Sequence, residues 1–381
     1  MSEVSLLTDE AVEGRTDEGL IDCDVHPYFT NGLHDLMPFM SKTWARRLGI
    51  GGDLNWSSQF AASEFVLPQD ILYINSAGAT RGDSSPEGRI PGSDPDFVIE
   101  QLIEPHQIAR VVLLHGQMGG LGSLPDPDVA ATIASAHNEW IQAKWFAHDT
   151  RFRGAMVVAP QDPALAAGEI ERHADTPGFV GIYLPLHRIA LGERYYYPIY
   201  EAAERHGLPI VNHPAGTENV FATGPGMAVT PTYYIEWHTA LGQIHQSNVL
   251  SLICNGVFER FPALKVVIAE GGFMWAIESM FKLDRDWQGL RNEVPWLTRP
   301  PSEYLREHVR FTTQPFVEPH RKEHIAPLLE MAYAEETFLF SSDYPHWDFD
   351  DPRQALSGVD RELRDKICRQ NPRSLYGDRL L

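Results

Sequence analysis

The sequence contains only three cysteines and no long apolar run. Cys23, Cys254 and Cys368 are far apart and odd in number, so we expect neither a disulfide framework nor a cysteine-based zinc site. Residues 1–17 have neither the basic start nor the apolar segment of a signal peptide. No stretch approaches the roughly 18 apolar residues of a membrane span. These absences predict a cytoplasmic protein.

Positive charge is also scarce. The chain has 31 Lys and Arg against 52 Asp and Glu, which gives a formal net charge of −21. A surface this acidic argues against nucleic acid and against anionic membranes as partners. An anionic small molecule would therefore need a local binding device, such as a metal ion or a few arginines.

Short apolar runs alternate with helical patterns along most of the chain. Continuous apolar runs, rather than strict alternation, are typical of parallel strands that are buried on both faces. Eight such runs predict a (β/α)8 TIM barrel, an α/β fold. They cover residues 20–26, 110–114, 154–158, 179–184, 208–212, 265–269, 309–312 and 337–341. A doubly wound open sheet is the alternative, although no GxGxxG motif follows an early strand.

The segments around these runs complete the predicted organisation. Residues 1–18 read as an acidic tail, and residues 19–381 as a single domain with insertions after strand 1 (28–95) and strand 5 (215–236). A helix is expected to start at Asp96, with Asp94 as its N-cap. The other predicted helices cover residues 128–147, 163–173, 197–206, 231–261, 273–287 and 319–334.

The first strand carries three polar side chains on one face. Asp22, Asp24 and His26 alternate with apolar residues, and Pro27 ends the strand. Two carboxylates and an imidazole are costly to bury without a cation or a partner. This stretch alone is compatible with a salt-bridged strand end or with a metal site.

Polar residues at the other strand ends favour the metal site. In a (β/α)8 barrel, the residues that follow the strands gather at one face of the barrel. Asp24, His26, His213 and Asp343 would then converge near the barrel axis. Two imidazoles and two carboxylates suit a single divalent ion with positions left for water or substrate. A metal-binding scaffold without turnover would be expected to lack a ligand, and none is missing.

Several motifs give the chain a family resemblance over residues 20–377. It resembles the amidohydrolase superfamily, in particular the amidohydrolase-related group that includes aminocarboxymuconate semialdehyde decarboxylase and the nonoxidative aromatic decarboxylases. The motifs lie at residues 22–26, 212–216, 255–262, 265–272, 341–346 and 371–377. The resemblance implies a mononuclear metal site with His26, His213 and Asp343 as ligands.

Two positions depart from the family pattern. Asp24 stands where many relatives have a His and some decarboxylases a Glu. The acidic residue makes the site richer in oxygen, so manganese and magnesium are alternatives to the expected zinc. Glu270 stands where many relatives have a His that acts as acid or base near the metal. Glu270 would shuttle a proton, bind the metal, anchor the substrate or only hydrogen-bond loop amides.

Other polar residues are weaker candidates. His187 and Arg188 would contact a substrate carboxylate or lie in a solvated loop. His346 would contact substrate or, with Asp348, orient Asp343; a surface loop is the alternative. Two histidines of the helix after strand 5 have no partner signal and are interpreted as structural, namely His238 and His245.

The resemblance predicts nonoxidative decarboxylation of a small aromatic or unsaturated carboxylate. Asp343 or Glu270 would deliver a proton to the ring or alkene carbon as CO2 leaves. The alternative is hydrolysis or hydration by a metal-activated water, with Asp343 accepting its proton. The family often forms dimers, so we expect a homodimer.

Overall fold

The computed structural model describes residues 19–49, 80–85, 87, 89–114, 116–214 and 233–381. The predicted acidic tail, the middle of the first insertion, most of the second insertion and His115 lie outside these ranges. The predicted domain boundaries therefore remain predictions.

Eight parallel strands form one sheet in sequence order, and helices flank it. This confirms the predicted (β/α)8 barrel and excludes the open doubly wound sheet, in which the strand order reverses. All eight apolar runs correspond to strands. The strands are β1 Leu20–Val25, β2 Ile108–Leu113, β3 Phe152–Val157, β4 Phe179–Tyr183, β5 Ile210–Asn212, β6 Val266–Ile268, β7 Val309–Thr312 and β8 Phe338–Leu339.

The barrel closes where β1 meets the segment that follows β8. Cys23 N donates to the Phe340 carbonyl oxygen over 2.9 Å, and Asp343 N donates to the Asp24 carbonyl oxygen over 3.0 Å. His26 N completes the seam with a 2.8 Å bond to the Tyr344 carbonyl. Because the seam runs past the end of β8, it brings the polar residues of the first and last strands side by side.

The described helices surround this barrel, and among them none combines the length and apolarity that a membrane span needs. The α-helices are α1 Lys42–Arg47, α2 Pro95–Val98, α3 Glu104–His106, α4 Pro127–Ile141, α5 Pro163–His173, α6 Tyr197–His206, α7 Tyr234–Cys254, α8 Val257–Arg260, α9 Met274–Leu290, α10 Pro301–His308, α11 Ile325–Met331, α12 Ala334–Thr337, α13 Arg361–Asp365 and α14 Asn371–Tyr376. Three π-helical turns cover Ile99–Ile103, Gln142–Phe146 and Lys366–Gln370, and 3-10 turns cover Gly32–Phe39, Gly116–Ser123, Arg194–Tyr196, Lys322–His324 and Gly377–Leu380.

An aspartate followed by a proline starts each of the helices α2, α4 and α5. Asp94 caps α2, as predicted, by accepting a hydrogen bond from Asp96 N. Asp126 and Asp162 cap α4 and α5 in the same way, each accepting from two backbone amides. The proline that follows each cap has no amide hydrogen to leave unpaired, so this pairing suits a helix start.

The single helix predicted over residues 231–261 is wrong at its C-terminal end. Helix α7 ends at Cys254, and the short helix α8 follows from Val257. Gly256 separates them with a backbone φ of +70°, which an L-residue with a side chain adopts only at a cost. The apolar pattern continues across this break because both helices pack on the barrel.

Gly116 lies where the chain after β2 passes close to the chain after β1. A Cβ on Gly116 would lie 1.9 Å from the Pro27 carbonyl oxygen, and its φ is +48°. Gly116→Ala is therefore expected to destabilise the fold by about 2 kcal/mol or more, because backbone must move beside His26. Urea unfolding measures this change.

Gly168 is the matched control for this substitution. It lies in the exposed middle of α5, and a Cβ there would meet nothing within 4 Å. Gly168→Ala is expected to stabilise the protein by about 0.5–1 kcal/mol, because alanine is the better helix former. Equal unfolding midpoints for the two variants would contradict the close approach at Gly116.

Candidate metal centre

The four predicted ligands meet in one buried cluster. Asp24 is the next-to-last residue of β1, His26 follows that strand, His213 follows β5, and Asp343 follows β8. One ligand atom from each lies within 4.8 Å of the others, and each residue is at most 1% exposed. The strand order and the barrel seam bring together residues that are up to 319 positions apart in sequence.

His26 lies between the two carboxylates of the cluster. Its Nε2 is 2.9 Å from Asp343 Oδ1 and 3.1 Å from Asp24 Oδ1. His213 Nε2 lies 3.4 Å from the other oxygen of Asp24. Nδ1 of His213 contacts the Pro214 carbonyl, which favours a proton on Nδ1 and leaves Nε2 facing the cluster.

Three carboxylate oxygens of the cluster are buried and accept no hydrogen bond of good geometry from the described residues. They are both oxygens of Asp24 and Oδ2 of Asp343. Buried carboxylate oxygens without a good hydrogen bond are costly, and a cation at the centre would satisfy them. The donor set of two imidazoles and two carboxylates therefore fits a divalent metal ion.

The backbone around Asp343 is held in an uncommon conformation. Asp343 has a φ of +61°, a region that non-glycine residues seldom adopt. Asp22, whose role the sequence left open, helps to fix this turn. Its Oδ1 accepts hydrogen bonds from Ser342 N over 2.9 Å and from Asp24 N over 3.3 Å. Asp22 thus connects the backbone at Asp24 in strand β1 with the loop that carries Asp343.

The electrostatics of the cluster favour charged carboxylates. Burial raises the pKa of Asp24, but His26 and His213 outweigh it, so the pKa lies below its usual range. Burial lowers the pKa of His26, but Asp24 and Asp343 raise it to about 10. A metal ion would take the place of these imidazole protons, because a ligating nitrogen must be unprotonated.

His346 contacts the same oxygen of Asp343 as His26 does, and the two imidazole rings lie side by side with centroids 4.5 Å apart. Nδ1 of His346 lies 2.7 Å from Asp343 Oδ1, and its Nε2 lies 2.9 Å from the Tyr28 hydroxyl. The two contacts fix the imidazole plane and orient the carboxylate. This geometry favours the orienting role that the sequence predicted for His346; its contact with substrate stays a prediction.

His346→Asn is expected to lower kcat and metal affinity by about 10- to 100-fold, because Asp343 loses the group that orients it. Tyr28→Phe removes only the contact to the far nitrogen and is expected to have a smaller effect. Metal titration and steady-state kinetics measure both variants. Unchanged metal affinity in His346→Asn would contradict the orienting role.

A second polar cluster adjoins the first through Glu270. One oxygen of Glu270 lies 3.3 Å from His213 Nε2, and the other lies 3.6 Å from His238 Nε2. His238 Nε2 is also 3.1 Å from Asp348 Oδ2. His238 therefore has two carboxylate partners that the sequence did not indicate, and its structural role stays a prediction. Asp348 lies in an ion pair with His238, and its predicted role in orienting Asp343 also stays a prediction.

Glu270 lies in a sharp turn after β6. Its φ is +50°, and its amide donates to Thr312 Oγ1 over 3.1 Å. Burial and the nearby Asp343 carboxylate raise the pKa of its side chain above its ordinary value. Because the side chain faces two imidazoles rather than loop amides, the geometry does not favour a loop-bonding role.

The remaining candidates lie farther from the cluster. His187 is half-buried with Nδ1 3.3 Å from the Tyr196 hydroxyl, and Arg188 is exposed. Neither has an ion pair with the cluster within the described ranges, so their role in substrate binding stays a prediction. His245 is buried, and burial lowers its pKa to about 3, as expected of a structural histidine.

Known proteins share this chain's sequence pattern and fold. The profile of the amidohydrolase family matches residues 21–377. A gamma-resorcylate decarboxylase from Polaromonas sp. strain JS666 is 25% identical over 344 residues, which cover 84% of this chain and 98% of that protein.

Two solved structures show the same fold. One is 5-carboxyvanillate decarboxylase from Sphingomonas paucimobilis, with a TM-score of 0.66 and 19% identity over 94% of this chain and 98% of that one. The other is a dihydroxybenzoic acid decarboxylase from Polaromonas sp. JS666 with bound manganese and the inhibitor 2-nitroresorcinol, with a TM-score of 0.61 and 22% identity over 94% and 96% of the two chains. The family profile spans nearly the whole barrel, and the chain belongs to the amidohydrolase family.

Proposed function

We propose that this protein is a metal-dependent nonoxidative decarboxylase of small aromatic carboxylates. The observation that carries the proposal is the buried cluster of Asp24, His26, His213 and Asp343, with three carboxylate oxygens that accept no hydrogen bond of good geometry from the described residues. The activities named for the relatives above support it, since gamma-resorcylate and 5-carboxyvanillate are both aromatic carboxylates.

The four cluster residues would hold one divalent ion. When bound, the ion supplies a Lewis acid for the substrate oxygens. We propose zinc, which suits a site with two imidazoles, and manganese as the alternative. The oxygen-rich donor set and the manganese bound in the Polaromonas structure support the alternative.

A side chain of the protein must then transfer one proton to the ring carbon. In decarboxylation the bond between the ring carbon and the carboxylate breaks, CO2 leaves, and the ring carbon gains a proton. Asp343 and Glu270 each lie next to an imidazole, and one of the two would supply the proton. Their burial keeps bulk water away from the ring carbon, so the proton comes from a positioned group.

A panel of aromatic acids tests this function. Metal-reconstituted protein is incubated with 2,6-dihydroxybenzoate, 2-hydroxybenzoate and 5-carboxyvanillate, and released CO2 and the phenolic product are quantified. We expect equal amounts of both from at least one acid. Absence of CO2 from every acid, with metal bound and the fold intact, would contradict the proposal.

We further propose a homodimer in the cytoplasm. The family resemblance and exposed apolar side chains such as Ile235 and Phe281 support an assembly between chains. Cys23, Cys254 and Cys368 form no disulfide, which is compatible with a reducing compartment. Light scattering coupled to size-exclusion chromatography tests the dimer, and a monomer would contradict it.

A further inference from the structure

The two clusters have many carboxylates and few cations. Asp24, Asp343, Glu270 and Asp348 belong to them, and in the described part of the chain their ion pairs are made with imidazoles rather than with Lys or Arg. An aromatic carboxylate adds at least one more negative charge. Any second acidic group on the substrate therefore needs a cationic partner from among these histidines.

His238 Nε2 forms ion pairs with two carboxylates but makes no hydrogen bond of good geometry with either. These carboxylates are those of Asp348 and Glu270, and Asp348 Oδ2 likewise accepts no hydrogen bond of good geometry from the described residues. One N–H cannot serve two acceptors well. Burial lowers the pKa of His238, but Asp348 and Glu270 raise it to about 10, so the imidazole is positively charged.

Aromatic rings fix the His238 imidazole in place. Tyr234 stacks on it with ring centroids 5.4 Å apart, and Trp347 lies at 6.0 Å. Trp347 Nε1 donates to the Tyr234 hydroxyl over 3.0 Å, which joins helix α7 to the loop after β8. Helix α7 and the loop after β8 thus hold the imidazole with its Nε2 directed at Glu270 and Asp348.

His238 lies within reach of a ligand bound at the metal centre. The two oxygens of Glu270 contact His213 and His238, so the width of one carboxylate separates the second cluster from the first. If the carboxylate of a benzoate-like ligand lies at the metal centre, a substituent on its ring would lie about as far from that centre as His238 does. Titratable groups that face His238 come from the loops after β6 and β8 and from α7 itself, namely Glu270, Asp348 and Tyr234.

We propose that His238 binds a second acidic oxygen on the substrate ring, a hydroxyl or a carboxylate, and so selects aromatic acids that carry one. This inference rests on the proposed function, because it assumes that an aromatic carboxylate occupies the metal centre. It names His238 as a specificity residue, not as a proton donor.

Ligand binding to metal-loaded protein tests the role of His238. Calorimetric titrations compare benzoate with 2-hydroxybenzoate and benzene-1,3-dicarboxylate. We expect at least one substituted acid to bind about tenfold or more tightly than benzoate, as a charge-assisted hydrogen bond would give. In His238→Gln that preference is lost, while benzoate affinity changes less than twofold.

His206→Gln is the matched control. His206 also contacts a carboxylate, Glu171, over 2.8 Å, but it lies at the exposed end of α6. The control is expected to keep the wild-type preference. Equal losses for benzoate and the substituted acids in His238→Gln, or no loss, would overturn the proposal.

Two further measurements distinguish substrate binding by His238 from metal binding by His238 and from the decarboxylase function. If metal analysis finds that His238→Gln loses one bound ion per chain, His238 is a metal ligand and the proposal is wrong. The binding preference is measured without turnover. A preserved preference without CO2 release would reject the decarboxylase function alone, whereas CO2 release without the preference would reject the His238 inference alone.

Discussion

Asp343→Asn is expected to lower kcat by about 10³-fold or more. Asp343 is fully buried and shares Oδ1 with His26 and His346, and its Oδ2, which accepts no hydrogen bond of good geometry from the described residues, is left for the ion. Asparagine keeps the shape but removes the negative charge that the ion requires and any proton the carboxyl would carry. Steady-state kinetics and metal analysis of the purified variant measure both losses.

Asp350→Asn is the control for this variant. Asp350 lies on the same loop and accepts a hydrogen bond from Phe316 N over 3.1 Å, which an asparagine oxygen also accepts. Because burial raises its pKa to about 6, the loss of its charge is expected to matter little. Wild-type kcat in Asp343→Asn would reject the assignment of the site.

Removal of the metal ion is expected to abolish turnover and to lower the unfolding temperature. An ion that binds only the folded state stabilises it by about 4 kcal/mol at a thousand times its dissociation constant. Without the ion, the buried carboxylates of Asp24 and Asp343 depend on protonated imidazoles alone. Chelation followed by dialysis, with calorimetry before and after, measures the change.

Restoration by added metal completes this experiment. Zinc or manganese is expected to restore both activity and unfolding temperature in the wild type, but not in His213→Ala, which lacks a ligand. His206→Ala, a surface substitution, is expected to behave as the wild type. A chelated protein that keeps full activity at undetectable metal content would contradict the assignment.

The strands of this fold were predictable because burial on both faces leaves a local signature. Eight apolar runs gave eight strands, with ends shifted by a few residues. Helix ends were predictable where the sequence carries its own cap, as at Asp94. The break at Asn255 and Gly256 was missed, because apolar spacing alone does not report a positive φ.

The convergence of the four candidate ligands was predictable because the barrel topology fixes where strand ends meet. Asp24 and His26 alternate on one strand, and the parallel order places His213 and Asp343 at the same face. Asp22 could not be assigned from sequence, since its partner Ser342 is 320 residues away across the barrel seam.

His238 could not be found in this way. It belongs to a helix rather than to a strand end, and its side chain reaches the second cluster only because α7 packs across the face that carries Glu270 and Asp348. No spacing within α7 indicates that contact.

The central claim is that the protein removes a carboxylate and protonates the carbon left behind. The most direct test uses the best substrate of the panel with a ¹³C-labelled carboxylate, in water enriched in deuterium and ¹⁸O. Decarboxylation is expected to give ¹³CO2 equal to the organic product, deuterium on the ring carbon and no ¹⁸O in that product. An organic product that retains ¹³C and contains ¹⁸O would instead show hydrolysis or hydration and contradict the claim.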